Sequence, residues 1–169
     1  MAYKVNLNDV DPEKIGESNF AKPGWYHFRI DAANEYNEYL GIDNIIVGCV
    51  PGNESELGKK VKERLYDNKV FDKIAASVLV ATGVYTKPQL SEMKAKGESP
   101  SFEFDDLIGR SFVGHYREEE YEKSDGSGKG KSTKIGFNWY HPESETAKNS
   151  GVKLNSAVLA AGNSSDPFE

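Results

Sequence analysis

The alternation of side chains along residues 25–32 restricts the fold more than any other feature of this chain. Tyr26, Phe28 and Ile30 occupy every second position, and mostly polar residues stand between them. Successive side chains of a β-strand point to opposite faces, so this pattern predicts a strand with one face in a core and one in water. Pro23-Gly24, just upstream, marks the turn that precedes it.

Two further segments predict strands. Residues 45–50 form a short apolar run closed by Pro51-Gly52, which is typical of a buried strand. Residues 59–66 alternate again, and their outer positions are basic: Lys60, Lys62 and Arg64. This third strand is therefore predicted to carry positive charge on its outer face.

The period changes to that of a helix between residues 71 and 82. Ile74, Val78 and Ala81 recur at helical spacing, and Gly83 follows where a helix C-cap is expected. A second short helix is predicted at 88–96, capped by Thr86 or Lys87, and a capped turn at 105–109. A strand at 110–116, a flexible hairpin loop at 118–133 and a return strand at 135–140 complete the core elements.

The predicted order is three strands, one principal α-helix, a connecting excursion and two more strands. We expect a mainly β protein with the five-stranded barrel of the oligonucleotide-binding (OB) fold, although a β-grasp or other α+β fold has a similar element count. The predicted division is an N-terminal arm at 1–22, the barrel at 23–142 and a flexible C-terminal tail at 143–169.

Composition limits the classes of function that are expected for this chain. The 169 residues carry a net charge of −6, which argues against coating duplex DNA by bulk attraction but leaves local basic surfaces open. Neither a signal peptide nor a membrane span is expected, which indicates a cytoplasmic protein. Cys49 is the single cysteine and stands in an apolar run, so no disulfide or thiolate zinc site is expected.

Basic and aromatic residues accumulate where an OB barrel binds oligonucleotides. Single-strand binding needs cations for phosphates and ring faces for bases. The candidates on the second and third strands are Tyr36, Tyr39, Lys59, Lys60, Lys62 and Arg64. Those on the last hairpin are Tyr116, Arg117, Lys129, Lys131, Lys134, Trp139 and Tyr140. This hypothesis requires exposed rings beside the 59–64 cations and a closed barrel.

Catalytic patterns are weak by comparison. Asp105 and Asp106 could hold a metal, but adjacent carboxylates more often cap a helical turn. Gly130-Lys131-Ser132 resembles the end of a phosphate-binding loop, but a strand is predicted after it, where a helix is needed. We predict no enzyme activity, no metal and no cofactor.

Several short motifs resemble a phage-encoded family, long called a domain of unknown function and considered to consist of OB-like single-strand binders of recombination and replication. The motifs are Gly24-x-Tyr26-x-Phe28, residues 58–65, Ala81-Thr82-Gly83, residues 104–110 and residues 134–140. The resemblance covers residues 22–142. It implies a binding protein of the host-cell cytoplasm.

The C-terminal tip is similar to that of bacterial single-stranded DNA-binding proteins, in which acidic residues precede a terminal Pro-Phe. By this likeness Phe168 would anchor a partner protein, Pro167 would stiffen the tip and Asp166 would meet a cation. Glu169 departs from the pattern because it follows the phenylalanine, and an ordinary acidic terminus is the alternative.

The sequence thus predicts a sequence-independent single-stranded DNA-binding protein of phage-type replication and recombination, with replication or recombination proteins as partners of the tail. Homo-oligomer formation stays open. The alternatives are a protein-interaction module for anti-defence or assembly, and a metal-dependent nuclease that uses Asp105 and Asp106.

Overall fold

Six antiparallel strands form the framework of the protein. The computed structural model describes residues 2–8, 10–14 and 20–161. The strands are β1 (Gly24–Glu35), β2 (Tyr39–Cys49), β3 (Lys60–Tyr66), β4 (Ser111–Glu122), β5 (Lys129–Lys134) and β6 (Trp139–Tyr140). The helices are α1 (Phe71–Ala81), α2 (Lys87–Ala95), α3 (Phe104–Leu107), α4 (Glu145–Asn149) and α5 (Ser156–Ala161).

The sheet is open. Its order is β3-β2-β1-β4-β5, and β6 pairs with the first half of β4 while β5 pairs with the second half. The mainly β prediction is confirmed. Closure of the predicted barrel would require β3 to meet β5, and no such pairing is found within the described residues. The five-stranded barrel is therefore not confirmed. The described part of the chain contains the helices α1 to α5, so a single principal helix is not confirmed either.

A buried carboxylate spans the gap between β3 and the segment that follows β5. Glu63 points inward from β3, and its two carboxylate oxygens accept the backbone N–H groups of Ile135 and Gly136 at 3.2 and 3.0 Å. Burial raises the pKa of Glu63 even though both hydrogen bonds favour the ionised form. One side chain thus links two elements that share no strand pairing.

The alternating patterns identify the inward-facing apolar residues, but His27, on the face of β1 that is predicted to lie in water, is fully buried as well. Tyr26, Phe28 and Ile30 are fully buried, as the period of two predicts. Along β3 the burial alternates strictly, with Val61, Glu63 and Leu65 inside and the basic residues outside. α1 covers one end of the core through Val78 and Leu79.

The helices α1 and α2 begin and end within one residue of their predicted positions. Gly83, which follows the C-cap residue Thr82 of α1, adopts a φ of 78°, a left-handed conformation that glycine reaches without strain. Thr86 and Gln89 form a reciprocal capping box at the start of α2, with bonds of 3.2 and 2.7 Å. Of the helices in the described part of the chain, none is long and apolar enough to span a membrane.

The last hairpin differs from the prediction. The expected loop at 118–133 is mostly paired strand, because β4 continues to Glu122, β5 begins at Lys129 and the Lys123 N–H bonds the Gly128 carbonyl at 2.9 Å. Opposite charges face one another across the two strands and stabilise the pairing. The expected return strand at 135–140 is reduced to the two residues of β6, after a turn closed by Asn138 N–H on Ile135 O at 3.0 Å.

The segment 143–161, which the sequence suggests is flexible, instead contains α4 and α5 and lies against β2. Lys153 donates its backbone N–H to Cys49 O at 2.9 Å, and Asn155 donates its backbone N–H to His27 Nδ1 at 3.0 Å. The side-chain amide of Asn155 also donates a hydrogen bond to Val47 O at 3.3 Å. These are polar contacts to positions distant in sequence, so the apolar periodicity of the segment does not predict them.

Candidate nucleic-acid interface

Three tyrosines form an exposed cluster at one end of the sheet, here called the tyrosine cluster. Tyr36 follows β1, Tyr39 begins β2 and Tyr66 ends β3. The ring centroids of Tyr36 and Tyr39 are 4.8 Å apart at an interplanar angle of 25°, and those of Tyr39 and Tyr66 are 5.5 Å apart at 52°. Tyr36 is 52% exposed and Tyr66 is 46% exposed, so both present ring surface to solvent.

The backbone around the β1–β2 turn holds the cluster in place. The Tyr36 N–H bonds the Tyr39 carbonyl at 2.9 Å and closes the turn. A Cβ at Gly41 would lie 2.9 Å from Cε2 of Tyr36, closer than real side chains approach. The absence of a side chain at Gly41 therefore allows the Tyr36 ring to lie flat over β2.

Arg64 joins the tyrosine cluster from β3. Its guanidinium carbon lies 5.2 Å from the Tyr39 ring centroid, within the range of a cation–π contact. The hydrogen bond with the Tyr66 side chain and the nearby Tyr39 raise the pKa of Arg64 further, so the group is a permanent cation. A cation and stacked rings therefore share one exposed surface.

Lys60 and Lys62 extend this positive surface along β3. Both are exposed on the same face as Arg64, and none of the ion pairs found among the described residues involves these three cations. Asp43 stands opposite Lys62 on β2. Tyr36 and Tyr39 also line a cavity of about 310 Å³, together with the carboxylates of Glu35, Glu38 and Asp67. We therefore expect the phosphates of an anionic chain to follow β3, on the side of the cluster away from these carboxylates.

Lys59 serves a structural purpose that the sequence does not reveal. Its Nζ lies 3.2 Å from both carboxylate oxygens of Glu56, a residue that is almost fully buried. Glu56 also accepts the Lys22 N–H at 2.7 Å and the Ser55 hydroxyl at 3.0 Å. Burial alone would raise the pKa of Glu56, and these bonds together outweigh burial and lower it. Lys59 is therefore a poor candidate for a phosphate contact.

The substitution Lys59→Met is expected to lower the free energy of unfolding by about 2 kcal/mol, because it leaves a buried carboxylate without its cation. Urea unfolding at neutral pH measures this loss. The exposed variant Lys60→Met is the matched control and should stay within about 0.5 kcal/mol of the unchanged protein. Equal losses in the two variants would contradict the structural assignment of Lys59.

The cations of the last hairpin face carboxylates of their own strand pair. Arg117 and Lys134 contact the Glu119 carboxylate at 3.0 and 3.1 Å, and Lys131 contacts Glu118 at 3.4 Å. The fourth candidate, Lys129, stands opposite Glu122 in the register. The hairpin is therefore close to neutral, and the predicted basic loop is not a separate source of positive charge.

Two predicted base-stacking residues belong to the core. Tyr116 and Trp139 are buried, and the Trp139 indole N–H bonds the Gly136 carbonyl at 2.8 Å. Tyr140 is half-buried and its ring lies 5.7 Å from Trp25, which stacks on His115 at 4.5 Å and 2°. These rings form a second, more enclosed aromatic group on the same sheet.

One cluster residue escapes the sequence-based selection. Tyr66 is the last member of the outward-facing series that begins at Lys60 and continues every second residue. Extending the period of two by one step would have identified it. The predicted partner-binding residues Asp166, Pro167 and Phe168 lie outside the described residues.

Of the acidic pair at 105–106, Asp106 caps α3. The Asp106 carboxylate accepts the Glu103 N–H at 2.8 Å, which is the role that the sequence favours for this pair. Within the described ranges, no group of three or more His, Cys, Asp or Glu side chains is arranged to hold a metal ion.

Comparisons with known proteins leave the geometry as the main guide. The chain matches no protein-family model, and no curated protein is similar enough to count as a relative.

Proposed function

We propose that this protein binds single-stranded DNA without sequence preference on the tyrosine cluster and the adjoining outer face of β3. The observation that carries the proposal is the Arg64 guanidinium over the Tyr39 ring, with Tyr36 stacked beside it and exposed. Exposed rings accept any base because every base has a flat face, and each stacked base contributes about 1–3 kcal/mol.

The division of labour follows from the positions of the side chains. Tyr36 and Tyr66 offer ring faces to bases, while Lys60, Lys62 and Arg64 neutralise phosphates along β3. The sequence-based hypothesis also required a closed barrel, and the described residues form none. This proposal does not require one, because stacking and phosphate contact need one accessible face only. The proposal rests on the rings and on the cations beside them.

The proposal also covers the group of proteins to which the chain belongs and the place where it acts. A five-stranded OB barrel with this strand order would need β3 to meet β5, and the Glu63 bridge links β3 to the end of β5. On the strength of the sequence resemblance alone, we propose that the chain belongs to an OB-like group of phage-encoded proteins of replication and recombination, acting in the host cytoplasm. Binding of replication or recombination proteins by the tail is part of this proposal.

The double variant Lys62→Ala/Arg64→Ala tests the phosphate contacts. For single strands the logarithm of the affinity falls with the logarithm of salt at about 0.7 per phosphate neutralised, so the slope should become shallower by about 1.4. Fluorescence titration of an oligonucleotide of about 30 nucleotides at several salt concentrations measures it. Tyr36→Ala should weaken binding about tenfold at constant slope, because stacking releases no counterions.

The matched control is Lys131→Ala/Lys134→Ala, which removes two lysines that already contact carboxylates of the hairpin. Its salt slope should equal that of the unchanged protein. An equal change in both double variants, or no binding at micromolar protein and low salt, would refute the proposed interface. Charge reversal at Lys60, Lys62 and Arg64 distinguishes DNA from a protein partner, which need not respond to that change.

A further inference from the structure

The cavity beside the tyrosine cluster, with a volume of about 310 Å³, lies where three parts of the chain meet. These are the β1–β2 turn, the stretch from the end of β3 to the start of α1, and the segment that leads into α3. Five of the residues that line the cavity are aromatic: Tyr36, Tyr39, Phe71, Phe102 and Phe104. Small-molecule sites begin at about 300 Å³, so the cavity has room for a small organic ligand.

The aromatic residues give the cavity a surface that attracts cations. The face of an aromatic ring carries partial negative charge and binds an ammonium or guanidinium group within about 6 Å of its centre. The Arg64 guanidinium, which does not line the cavity, already makes such a contact with Tyr39. Phe71, Phe102 and Phe104 pack against the hydrophobic core, so the fold sets their positions and a ligand does not have to order them.

The charged residues that line the cavity are all acidic. Glu35 and Glu38 flank the turn between β1 and β2, and Asp67 follows β3. The three carboxylates are exposed, and none takes part in the ion pairs found in the described part of the chain. Nor are they placed to hold a metal ion, as no such group occurs in residues 2–8, 10–14 and 20–161. The negative charge is therefore spread over two walls of the cavity.

We propose that this cavity binds a linear aliphatic polyamine. The ammonium groups of such a molecule are separated by methylene segments, and the carboxylates of the cavity are likewise spread beside aromatic side chains. Methylene segments pack on apolar surface while the charge reaches a polar partner, as in lysine side chains. A small metal ion needs converging oxygen ligands, and an anion would be repelled by the three carboxylates.

This inference does not depend on DNA binding, although Tyr36 and Tyr39 belong to both sites. Binding of a polyamine is measured without DNA, and binding of an oligonucleotide is measured without polyamine. Either proposal can therefore fail while the other holds.

Isothermal titration calorimetry of the full chain with spermidine, at low salt, tests the site. We expect saturable binding to a single site per chain. Glu38→Gln/Asp67→Asn should raise the Kd at least about tenfold, because each lost charge-assisted hydrogen bond weakens binding. Both side chains are exposed, and the bond between the two residues, from Asp67 N–H to Glu38 O at 2.9 Å, joins backbone groups, so the fold should persist.

The matched control is Glu120→Gln/Glu122→Gln, which removes the same charge elsewhere. These residues lie in the part of β4 that extends beyond the start of β1, whereas the cavity lies at the end of β1. The Kd of this variant should equal that of the unchanged protein. An equal rise of the Kd in both double variants, or no saturable binding by the unchanged protein, would overturn the proposal.

Two further measurements test the class of ligand and the part of the rings. Choline carries one compact charge and Mg²⁺ has no apolar segment, so each should bind at least about tenfold more weakly than spermidine. Phe102→Leu keeps an apolar side chain but removes a ring, and it should raise the Kd for spermidine about threefold. Binding of choline or Mg²⁺ as tight as that of spermidine, or an unchanged Kd in Phe102→Leu, would contradict the assignment.

Discussion

Replacement of Glu63 by alanine is expected to lower the free energy of unfolding by about 3 kcal/mol. The carboxylate accepts the N–H groups of Ile135 and Gly136 in a buried position, and each donor left without an acceptor costs about 1–3 kcal/mol. The loss should appear as a lower midpoint in urea unfolding. Because Glu63 links β3 to the end of β5, amide exchange should increase first at Ile135 and Gly136.

Two variants control this prediction. Glu63→Gln keeps one acceptor oxygen and should show an intermediate loss. Glu120→Gln removes an exposed carboxylate of β4 that stands opposite Lys131, and it should change stability by less than about 0.5 kcal/mol. If Glu63→Ala were as mild as Glu120→Gln, the Glu63 bridge would not contribute to holding the sheet together.

Acidification is expected to destabilise the protein through His27. Burial lowers the pKa of His27 from 6.5 to about 4. Its Nδ1 accepts the Asn155 N–H, and Nε2 has no hydrogen-bond partner among the described residues. The buried His27 ring is neutral in the folded protein. Its contribution to the free energy of unfolding is therefore complete above pH 6.5 and is lost as the pH falls towards 4. The expected loss between pH 7 and pH 5 is about 2 kcal/mol.

The variant His27→Gln isolates this effect. Its stability should vary less between pH 7 and pH 5 than that of the unchanged protein, by about 2 kcal/mol. The raised pKa of Glu63 acts in the opposite direction, because its contribution is present at low pH and is lost as the pH rises. Both proteins contain Glu63, so the comparison removes it. Parallel stability curves would contradict the role of His27.

Loss of the His27 bond should release the C-terminal segment before the sheet unfolds. Asn155 is attached to β1 through this ring and to β2 through Val47. Protonation converts Nδ1 from an acceptor into a donor, which removes the first attachment. The protection factor of the Asn155 backbone N–H, which corrects for the intrinsic dependence of exchange on pH, should therefore be lower at pH 5 than at pH 7.

Local pattern was a reliable guide where one face of a segment is buried. The period of two in β1 and β3 identified inward residues such as Phe28 and Leu65, and the signals at Thr86 and Gly83 located helix ends. The outward positions of β3 followed from the same period. The basic surface beside the tyrosine cluster was thus predictable.

Prediction failed where pairing depends on residues distant in sequence. Gly, Ser and Lys at 124–133 are typical of a loop, but residues 129–133 pair with β4, where Glu120 and Glu122 stand opposite Lys131 and Lys129. Lys59 and Lys60 are adjacent lysines that the sequence does not distinguish. The structure distinguishes them, because Lys59 contacts the buried carboxylate of Glu56. Trp139 and Tyr140 are adjacent, and β6 directs the first inward and leaves the second half-buried.

The sequence by itself determined the mainly β character, the core faces of the early strands, the helix caps and the cationic side of β3. These follow from periodicity and from short-range hydrogen bonds, which act between residues close in the chain. Tertiary structure alone decided that the sheet stays open, that hairpin lysines meet glutamates, and that Tyr36, Tyr39, Tyr66 and Arg64 share one surface. The physical reason is that ion pairing, ring stacking and burial depend on distance in space, which strand register sets and composition does not.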